Sequence, residues 1–265
     1  SHSEPDMTDS GNLMQPAAEV ARIAGDAALG FFRGGIAVDT KSDGSPVTVA
    51  DRTAESRARE WLEARFPQDG ILGEEFGETR PGAKRRWILD PIDGTKTFIR
   101  GVPLWGTLVA LAEGERILVG AAYFPAVSEL LVAAPGRGCF WNDQRAAVST
   151  QAELSQAVVL STDERFPVYP ERGAAWRSLA RDAAVDRTWG DCYGYLLVAT
   201  GRAEVMVDEL LSPWDGAALQ PIIEEAGGVF TDWTGRRTAF GGNGIATNAA
   251  MARVVRERLG AVETR

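Results

Sequence analysis

The segment Trp87-Ile88-Leu89-Asp90-Pro91-Ile92-Asp93-Gly94-Thr95 gives the clearest indication of how this chain folds. It begins as an apolar strand and ends in two aspartates that flank a proline. Pro91 fixes one backbone φ angle and lacks an N–H donor, so the chain turns here and can direct carboxylates and carbonyls at one spot. Asp90, Asp93 and the main-chain carbonyl of Ile92 could therefore bind a hard cation such as Mg²⁺, which prefers oxygen ligands.

The same segment continues into a turn that could bind an anion. Gly94 and Thr95 are predicted to open a helical turn, and the free N–H groups at a helix start can hold a phosphate. Asp-Pro and Asp-Gly are also common turn dipeptides, so the segment alone is more typical of a plain turn than of a metal site.

Two further acidic segments accompany it. Gly73-Glu74-Glu75-Phe76-Gly77 follows a predicted strand, and Pro213-Trp214-Asp215-Gly216-Ala217-Ala218 stands at a predicted helix start. Alone, the glutamate pair is typical of a solvated bend, and Asp215 of a helix N-cap. All three segments adjoin apolar runs, where uncompensated acids would be costly. Their conjunction favours a metal site.

The composition narrows the possible chemistry. The 265 residues are 45% hydrophobic and 25% charged, which is typical of a soluble globular protein with one large domain or two closely packed ones. The net charge of −9 argues against nucleic acid or an anionic membrane as partner. The single histidine, His2, lies in a polar N-terminal stretch. A histidine base, a Ser-His-Asp triad and a zinc-histidine site are therefore not expected.

Cysteines and hydrophobic runs bear on the location of the protein. Cys139 and Cys192 are too few for a disulfide framework or a zinc site, so we expect free thiols. No run approaches the roughly 20 apolar residues of a membrane span, and the N-terminus lacks a basic region followed by an apolar signal core. We therefore expect a cytoplasmic protein.

Apolar periodicity predicts helices over 14–32 and 48–66 at the start of the chain. Asp51 falls in the first turn of the second helix, where the helix dipole favours a carboxylate. The outer face of that helix is predicted to be solvated and to form ion pairs within the helix. The residues of this face are Arg52, Glu55, Arg59 and Glu63.

The remaining chain changes from strands to an alternation of strands and helices. A hairpin through 113–116 indicates a mainly antiparallel first sheet. The predicted strands are 70–73, 86–89, 105–112, 117–124, 129–133, 158–161, 204–207 and short ones near 187, 229 and 244. The later helices are 174–182, 193–200, 215–226 and 249–259. The pattern predicts an α/β (α+β) protein with domains at 1–150 and 151–265.

The three acidic segments, taken in this order, resemble the three-part signature of the inositol monophosphatase superfamily of Mg²⁺-dependent phosphatases. Lys41, 47–51 and 224–228 also resemble family landmarks. The resemblance extends over nearly the whole chain. It implies a layered αβαβα sandwich, with a mixed or antiparallel N-terminal sheet and a smaller C-terminal α/β sheet.

Two other stretches, 98–108 and 189–195, are similar to the histidinol-phosphate phosphatases of the same superfamily. Inositol monophosphatases usually carry small residues where Asp191 and Tyr193 stand here. This second resemblance implies a substrate with a cationic alcohol portion.

The resemblance also implies roles for individual residues. Asp51 and Thr95 would orient or deprotonate the attacking water, and Glu74 would be the third catalytic residue. The phosphate would rest on the backbone N–H groups of Gly94 and Thr95. The implied ligands of two or three Mg²⁺ ions are Glu74, Asp90, the Ile92 carbonyl, Asp93 and Asp215.

Substrate selection is assigned by the resemblance to the C-terminal half. Asp208 matches a family position that contacts the alcohol portion. Histidinol carries an amine and an imidazole, so acids at Asp191 and Asp208 would suit it, whereas an uncharged cyclitol would not need both. Arg187 is a further candidate, although it fits a surface arginine equally well. The full set of implied substrate contacts is Asp93, Gly94, Thr95, Arg187, Asp191, Asp208 and Asp215.

The resulting hypothesis is a Mg²⁺-dependent phosphomonoester hydrolase, a histidinol-phosphate phosphatase of histidine biosynthesis that uses metal-activated water. An inositol-1-monophosphatase or a broad sugar-phosphate phosphatase is the alternative. Two non-catalytic hypotheses are a dimeric partner of RNA polymerase or RNA and a calcium-stabilised structural protein. The acidic balance and the metal signature count against the first, and the lack of a regular calcium loop against the second. The expected partners are a small phosphate monoester and a second copy of the chain.

Overall fold

The computed structural model describes residues 13–262, so His2 lies outside the described part. Helices and strands follow one another as a mixed α/β chain. The helices are α1 Met14–Leu29, α2 Val49–Arg65, α3 Thr95–Phe98, α4 Pro170–Asp182, α5 Cys192–Ala199, α6 Pro213–Gly216, α7 Leu219–Glu225 and α8 Ala252–Leu259. The strands are β1 Val38–Thr40, β2 Pro46–Thr48, β3 Gly70–Gly73, β4 Gly77–Thr79, β5 Arg86–Asp93, β6 Gly106–Glu113, β7 Arg116–Phe124, β8 Glu129–Ala134, β9 Gly138–Trp141, β10 Gln144–Arg145, β11 Val158–Ser161, β12 Val185–Arg187, β13 Val205–Asp208, β14 Val229–Thr231 and β15 Gly244–Thr247.

The strands form two main sheets and one small hairpin. The larger sheet has the order β10-β9-β8-β7-β6-β5-β3-β4, and its only parallel pair among the described residues is β3 with β5. The smaller sheet has the order β12-β11-β13-β15-β14. In it β11 runs parallel to β12 and β13, whereas β15 is antiparallel to both neighbours. The expected mainly antiparallel first sheet and smaller second sheet are confirmed.

Helices cover both sheets and fill the space between them. α1 and α2 pack on one face of the larger sheet, where Leu62 and Trp87 are fully buried. α5 and α7 lie between the sheets. α4 and α8 cover the outer face of the smaller sheet, with Trp176 and Val255 in that core. The layers therefore read αβαβα, as expected.

The two halves share a core. One apolar cluster joins Ile88 and Leu108 of the larger sheet to Met206 of the smaller one through α5 and α7. The larger sheet ends at Arg145 with β10, and the smaller begins at Val158 with β11. A domain division at 150 remains a prediction.

The helix expected over 215–226 is divided into α6 and α7, so that expectation was wrong in detail. Ala217 and Ala218 between them keep right-handed helical dihedrals. Pro221 explains the interruption, because it lacks the N–H that would bond to the carbonyl of Ala217 four residues earlier. Pro221 lies in the first turn of α7, where a backbone N–H has no partner within the helix, so its missing N–H costs α7 no hydrogen bond.

The solvated face expected on α2 is also corrected. Glu55 is fully buried and Arg59 is only 9% exposed, whereas Glu63 on the same helix is exposed. The residues of segment 73–77 pack against α2 at this point. The charged face of α2 is therefore buried in part, at its contact with segment 73–77.

Five short strands were not expected from the sequence: β1, β2, β4, β9 and β10. Each has two to four residues, too few to display an alternating pattern. Cys139 and Cys192 are free, as expected, and both are buried. Over residues 13–262 no helix has both the length and the apolar character that crossing a bilayer requires.

Candidate active site

A bulge in β5 forms the first part of the site. Two residues separate Asp90 from Asp93 on β5, but only Thr107 separates their partners on β6. Pro91 lies in this bulge, where it need not donate to the ladder, and its carbonyl accepts a 2.8 Å hydrogen bond from Thr107 Oγ1. Bulges redirect side chains, and this one aims Asp90 and Asp93 at a common point.

Asp215 reaches the same point from the start of α6. Its Oδ2 accepts a 2.7 Å hydrogen bond from the backbone N–H of Ser212, which makes it part of a capping box. Carboxylate oxygens of Asp90, Asp93 and Asp215 all lie within 4.8 Å of one another. We call these three residues the carboxylate cluster. The structure thus joins two of the acidic segments that the sequence singles out.

The electrostatics of the carboxylate cluster favour the binding of a cation. Burial, followed by the charges of Glu74, Asp93 and Asp215, raises the pKa of Asp90 well above its usual range. Burial and the charges of Asp191 and Asp215 do the same to the pKa of Asp93. Burial also raises the pKa of Asp215 to about 6. A divalent cation would relieve this repulsion.

The carboxylate cluster lines a cavity of about 170 Å³, and Glu74 lines the same cavity. Lys41 Nζ, on the loop between β1 and β2, lies 3.1 Å from Glu74 Oε1 and 2.6 Å from Glu75 Oε1. Burial alone would lower the pKa of Lys41, but the hydrogen bonds and charges of the two glutamates raise it overall. Burial raises the pKa of Glu75 to about 7. The residues that line the cavity are Ser45, Pro46, Glu74, Asp90, Ile92, Asp93, Gly94, Thr95, Lys96, Asp191 and Asp215.

Asp51 and Thr95 meet at the edge of this cavity. Asp51 is fully buried at the start of α2, where its Oδ2 accepts 2.7 Å hydrogen bonds from the N–H and the hydroxyl of Thr48. Its Oδ1 lies 3.1 Å from Thr95 Oγ1, which is also 3.0 Å from the Ile92 carbonyl. Burial raises the pKa of Asp51. Asp51, the N3 residue of the capping box that Thr48 opens, is therefore also the partner of a hydroxyl in the cavity.

Asp191 enters the cavity from the start of α5. Its φ of 49° is unusual for a residue other than glycine, and such strain occurs at functional sites. Gly94 stands opposite with a φ of 87°, and a Cβ there would lie 3.2 Å from Asp191 Oδ2. Burial raises the pKa of Asp191, an effect that Lys96 opposes. The positive φ and this close approach together favour glycine at position 94.

A second cavity of about 80 Å³ adjoins the first and shares Asp93, Asp191 and Asp215 with it. Asp208 lies in its wall and is 8% exposed. The Asp208 carboxylate accepts a 2.9 Å hydrogen bond from the hydroxyl of Tyr195. Burial raises the pKa of Asp208 well above its usual range. An acidic compartment therefore extends from the carboxylate cluster into the C-terminal half.

Arg187 stands apart from the other sequence-predicted residues. It is exposed and lines neither of the two cavities. Its Nη1 donates to the carbonyl of Asp186 at 2.7 Å, and its guanidinium lies 6.0 Å from the ring of Trp189. Arg187 is therefore a surface arginine, which was the alternative to a substrate contact in the sequence analysis.

Sequence reasoning missed two contributors to the cavity walls. The backbone N–H of Cys192 donates to Asp93 Oδ2 at 2.6 Å, which ties α5 to the carboxylate cluster. Thr162 accepts a 2.9 Å hydrogen bond from the backbone N–H of Asp191. Thr162 directly follows β11, and the carboxyl ends of parallel strands are where sites form, so its position was the available signal.

Comparisons with known proteins agree on one family. The model of the inositol monophosphatase family matches residues 10–262. A histidinol-phosphatase of Chlorobaculum parvum is 46% identical over 242 residues, which cover 91% of this chain and 93% of that protein. A histidinol-phosphatase of Mycobacterium tuberculosis is 40% identical over 84% of this chain and 88% of its own length.

A solved structure gives the same result for the fold. An inositol monophosphatase from Zymomonas mobilis superposes with a TM-score of 0.85 at 33% identity. The superposition covers 96% of this chain and 99% of the other.

Proposed function

This chain belongs to the inositol monophosphatase family and is a phosphatase, and we propose that it hydrolyses histidinol phosphate with the help of Mg²⁺. The observation that carries the proposal is the carboxylate cluster beside a second acidic cavity. The similarity to two histidinol-phosphatases supports the choice of substrate.

The donor set fits Mg²⁺. The buried Asp90 and the partly buried Asp93 and Asp215 offer carboxylate oxygens within 4.8 Å of one another, and burial together with mutual repulsion raises the pKa values of Asp90 and Asp93. Mg²⁺ takes oxygen ligands and usually keeps sites open for waters and phosphate oxygens. We propose that two or three ions are held by Glu74, Asp90, the Ile92 carbonyl, Asp93 and Asp215.

Asp51 and Thr95 are proposed to handle the proton of the attacking water. When bound, Mg²⁺ neutralises phosphate charge and lowers the pKa of a water molecule. Thr95 Oγ1 can donate to Asp51 Oδ1 while it accepts a hydrogen bond from that water. The raised pKa of Asp51 makes it a better proton acceptor than an exposed aspartate. This arrangement needs no histidine.

Gly94 and Thr95 are proposed to hold the phosphate on their backbone N–H groups. Both residues line the same cavity as the carboxylate cluster. The absence of a side chain at Gly94 leaves the backbone accessible between Asp191 and the bulge in β5.

The alcohol portion of the substrate is proposed to extend into the second cavity. Asp191 and Asp208 both contribute to its wall. Burial raises the pKa of each of them, and an ammonium or imidazolium group placed there would favour their ionised forms. A cationic substrate and the acidic wall would thus stabilise each other.

The second candidate substrate is inositol-1-phosphate or a broader range of sugar phosphates. The 33% identity to the inositol monophosphatase of Zymomonas mobilis favours it. A homodimer and a role in histidine biosynthesis remain predictions of the family resemblance, and a cytoplasmic location remains a prediction from the sequence.

The test is phosphate release from histidinol phosphate and from inositol-1-phosphate, measured side by side with and without Mg²⁺. We expect faster turnover of histidinol phosphate, loss of activity in chelator, and at least about a 100-fold fall in kcat for Asp90→Asn. Asp143→Asn, at an exposed aspartate with positive φ that asparagine tolerates, is the matched control.

Two outcomes would contradict the proposal. Equal or faster turnover of inositol-1-phosphate would overturn the assigned substrate. Full activity of Asp90→Asn would overturn the role of the carboxylate cluster in metal binding.

A further inference from the structure

α2 carries a second buried carboxylate one turn after Asp51, and the steps described above do not use it. Glu55 has no exposed surface. Its Oε2 accepts a 2.7 Å hydrogen bond from the backbone N–H of Glu75, and its Oε1 accepts one of 3.1 Å from that of Phe76. Arg59 Nε completes the set at 2.9 Å from Oε1. One side chain therefore binds two successive amides of the segment that carries Glu74.

Arg59 extends the same contact to the far end of that segment. Its Nη2 donates to the carbonyl of Gly77 at 2.5 Å. The pair Glu55–Arg59 thus binds two backbone N–H groups and one backbone carbonyl of segment 74–77. We call this pair the α2 clamp. Because the clamp bonds only to the backbone, the side chains of Glu74 and Glu75 remain available to the cavity and to Lys41.

Gly73 provides an independent sign that this contact is tight. A Cβ built on Gly73 would overlap Oε1 and Cδ of Glu55 and lie 2.9 Å from Arg59 Nη2. The absent side chain at position 73 is therefore what lets the carboxylate reach the two amides. The glycine ends β3, and Glu74 is the next residue.

The chemistry of the clamp requires an ionised carboxylate. A buried carboxylate is tolerated when it is paired and fully hydrogen-bonded, as Glu55 is. A glutamine in its place has one acceptor oxygen and would turn an NH₂ donor toward a backbone N–H. One amide of the segment would then lose its partner, and the direction of Glu74 would no longer be fixed.

We propose that Glu55 is a positioning residue for the metal centre, which it serves by holding the backbone of segment 74–77 so that Glu74 faces Asp90 and the cavity. This inference rests on the proposed function, because it assumes that Glu74 binds Mg²⁺. Residues that orient metal ligands typically change metal affinity by about 10- to 100-fold when they are substituted.

The experiment is a calorimetric titration of the full chain with Mg²⁺ alone, together with activity measured across Mg²⁺ concentrations. Glu55→Gln removes the carboxylate, and Gly73→Ala displaces it without altering it. We expect both variants to bind Mg²⁺ about 10- to 100-fold more weakly and to recover most of kcat at saturating Mg²⁺. If Glu55→Gln folds poorly, Gly73→Ala still tests the proposal, because it leaves the Glu55 carboxylate intact.

Two control variants separate positioning from general effects. Glu60→Gln removes an exposed carboxylate from the same helix and should bind Mg²⁺ like the unaltered protein. Val255→Ala opens a cavity in the distant core of the smaller sheet and should lower the melting temperature with unchanged Mg²⁺ affinity.

The outcomes distinguish this inference from the proposed function. Absence of Mg²⁺ binding by the unaltered protein would contradict the proposed function itself. Binding by the unaltered protein with the same affinity in Glu55→Gln or Gly73→Ala would overturn the positioning role alone. An equal loss of affinity in Val255→Ala would also overturn it, because the loss would then follow stability.

Discussion

The hydroxyl of Thr95 donates to the carboxylate of Asp51 across 3.1 Å, although the two residues are 44 positions apart. Asp51 is also held by the capping box of α2, in which its other oxygen accepts hydrogen bonds from the N–H and the hydroxyl of the N-cap Thr48. Thr95 is fixed as the first residue of α3, which Gly94 alone separates from the bulge of β5. The contact therefore joins two rigid helix starts at the edge of the cavity.

Substitution of Thr95 should separate catalysis from folding. Thr95→Val keeps the branched shape and removes the hydroxyl, so we expect kcat to fall by about 100-fold or more. Thr95→Ser retains the hydroxyl and should keep most of the activity. Steady-state kinetics with saturating Mg²⁺ is the measurement. Equal activity of the valine and serine variants would show that the hydroxyl takes no part in the reaction.

Mg²⁺ should stabilise the protein more at alkaline than at acidic pH. Burial raises the pKa of Asp215 to about 6 and the pKa values of Asp90 and Asp93 well above their usual range, so the metal-free fold holds protons that the unfolded chain has released. The free energy of unfolding of the metal-free protein therefore decreases as pH rises from about 4 through 6. Mg²⁺ binds only the deprotonated carboxylates, so its stabilising effect increases over the same range.

Thermal melts with Mg²⁺ and with chelator, at pH 5.5 and pH 8, measure this effect. We expect a larger rise in melting temperature at pH 8, where Mg²⁺ at 100 times its Kd contributes about 2.7 kcal/mol. Asp215→Asn should reduce the difference between the two pH values. A Mg²⁺-induced shift of equal size at both pH values would contradict the assignment of these groups to the cation site.

Much of this architecture could be predicted because it rests on local patterns. Apolar periodicity indicated α1, α2 and the long strands, and the acidic segments stood out because each follows or precedes an apolar run. Pro91 signalled a turn, and the bulge that carries Asp90 and Asp93 formed there. These features depend on a few neighbouring residues.

Other features depend on which segments meet in space. The face of α2 with Glu55 and Arg59 has the charge spacing of a solvated helix, and only the packing of segment 73–77 buries it. Tyr195 and Thr162 are separated in sequence from Asp208 and Asp191, which they contact. A single sequence contains no local signal for such pairs.

Substrate choice should depend on the two acids of the second cavity. Asp191→Asn and Asp208→Asn remove a charge and keep the shape, and Tyr195 can still donate to the oxygen of an asparagine at 208. We expect KM for histidinol phosphate to rise about tenfold, which corresponds to about 1.4 kcal/mol, with KM for inositol-1-phosphate nearly unchanged. Parallel kinetics on both substrates is the measurement, with Asp143→Asn as control. A matching rise for both substrates would assign these acids to the fold and not to selectivity.

Gly94 allows backbone strain and site chemistry to be measured separately, because Gly114 offers a matched position. Both glycines have positive φ, 87° and 61°, but a Cβ at Gly114 meets nothing within 4 Å, whereas one at Gly94 lies 3.2 Å from Asp191 Oδ2. Alanine should destabilise either position by about 1–2 kcal/mol, since both must adopt left-handed backbone.

Only Gly94→Ala should also impair turnover. Its added methyl group would crowd Asp191 Oδ2 and obstruct the backbone on which the phosphate is proposed to rest, so we expect kcat to fall by roughly 10-fold or more. Chemical denaturation and steady-state kinetics of the two alanine variants provide the comparison. If Gly114→Ala lost as much activity as Gly94→Ala, the effect would come from backbone strain, and position 94 would have no special part in binding the phosphate.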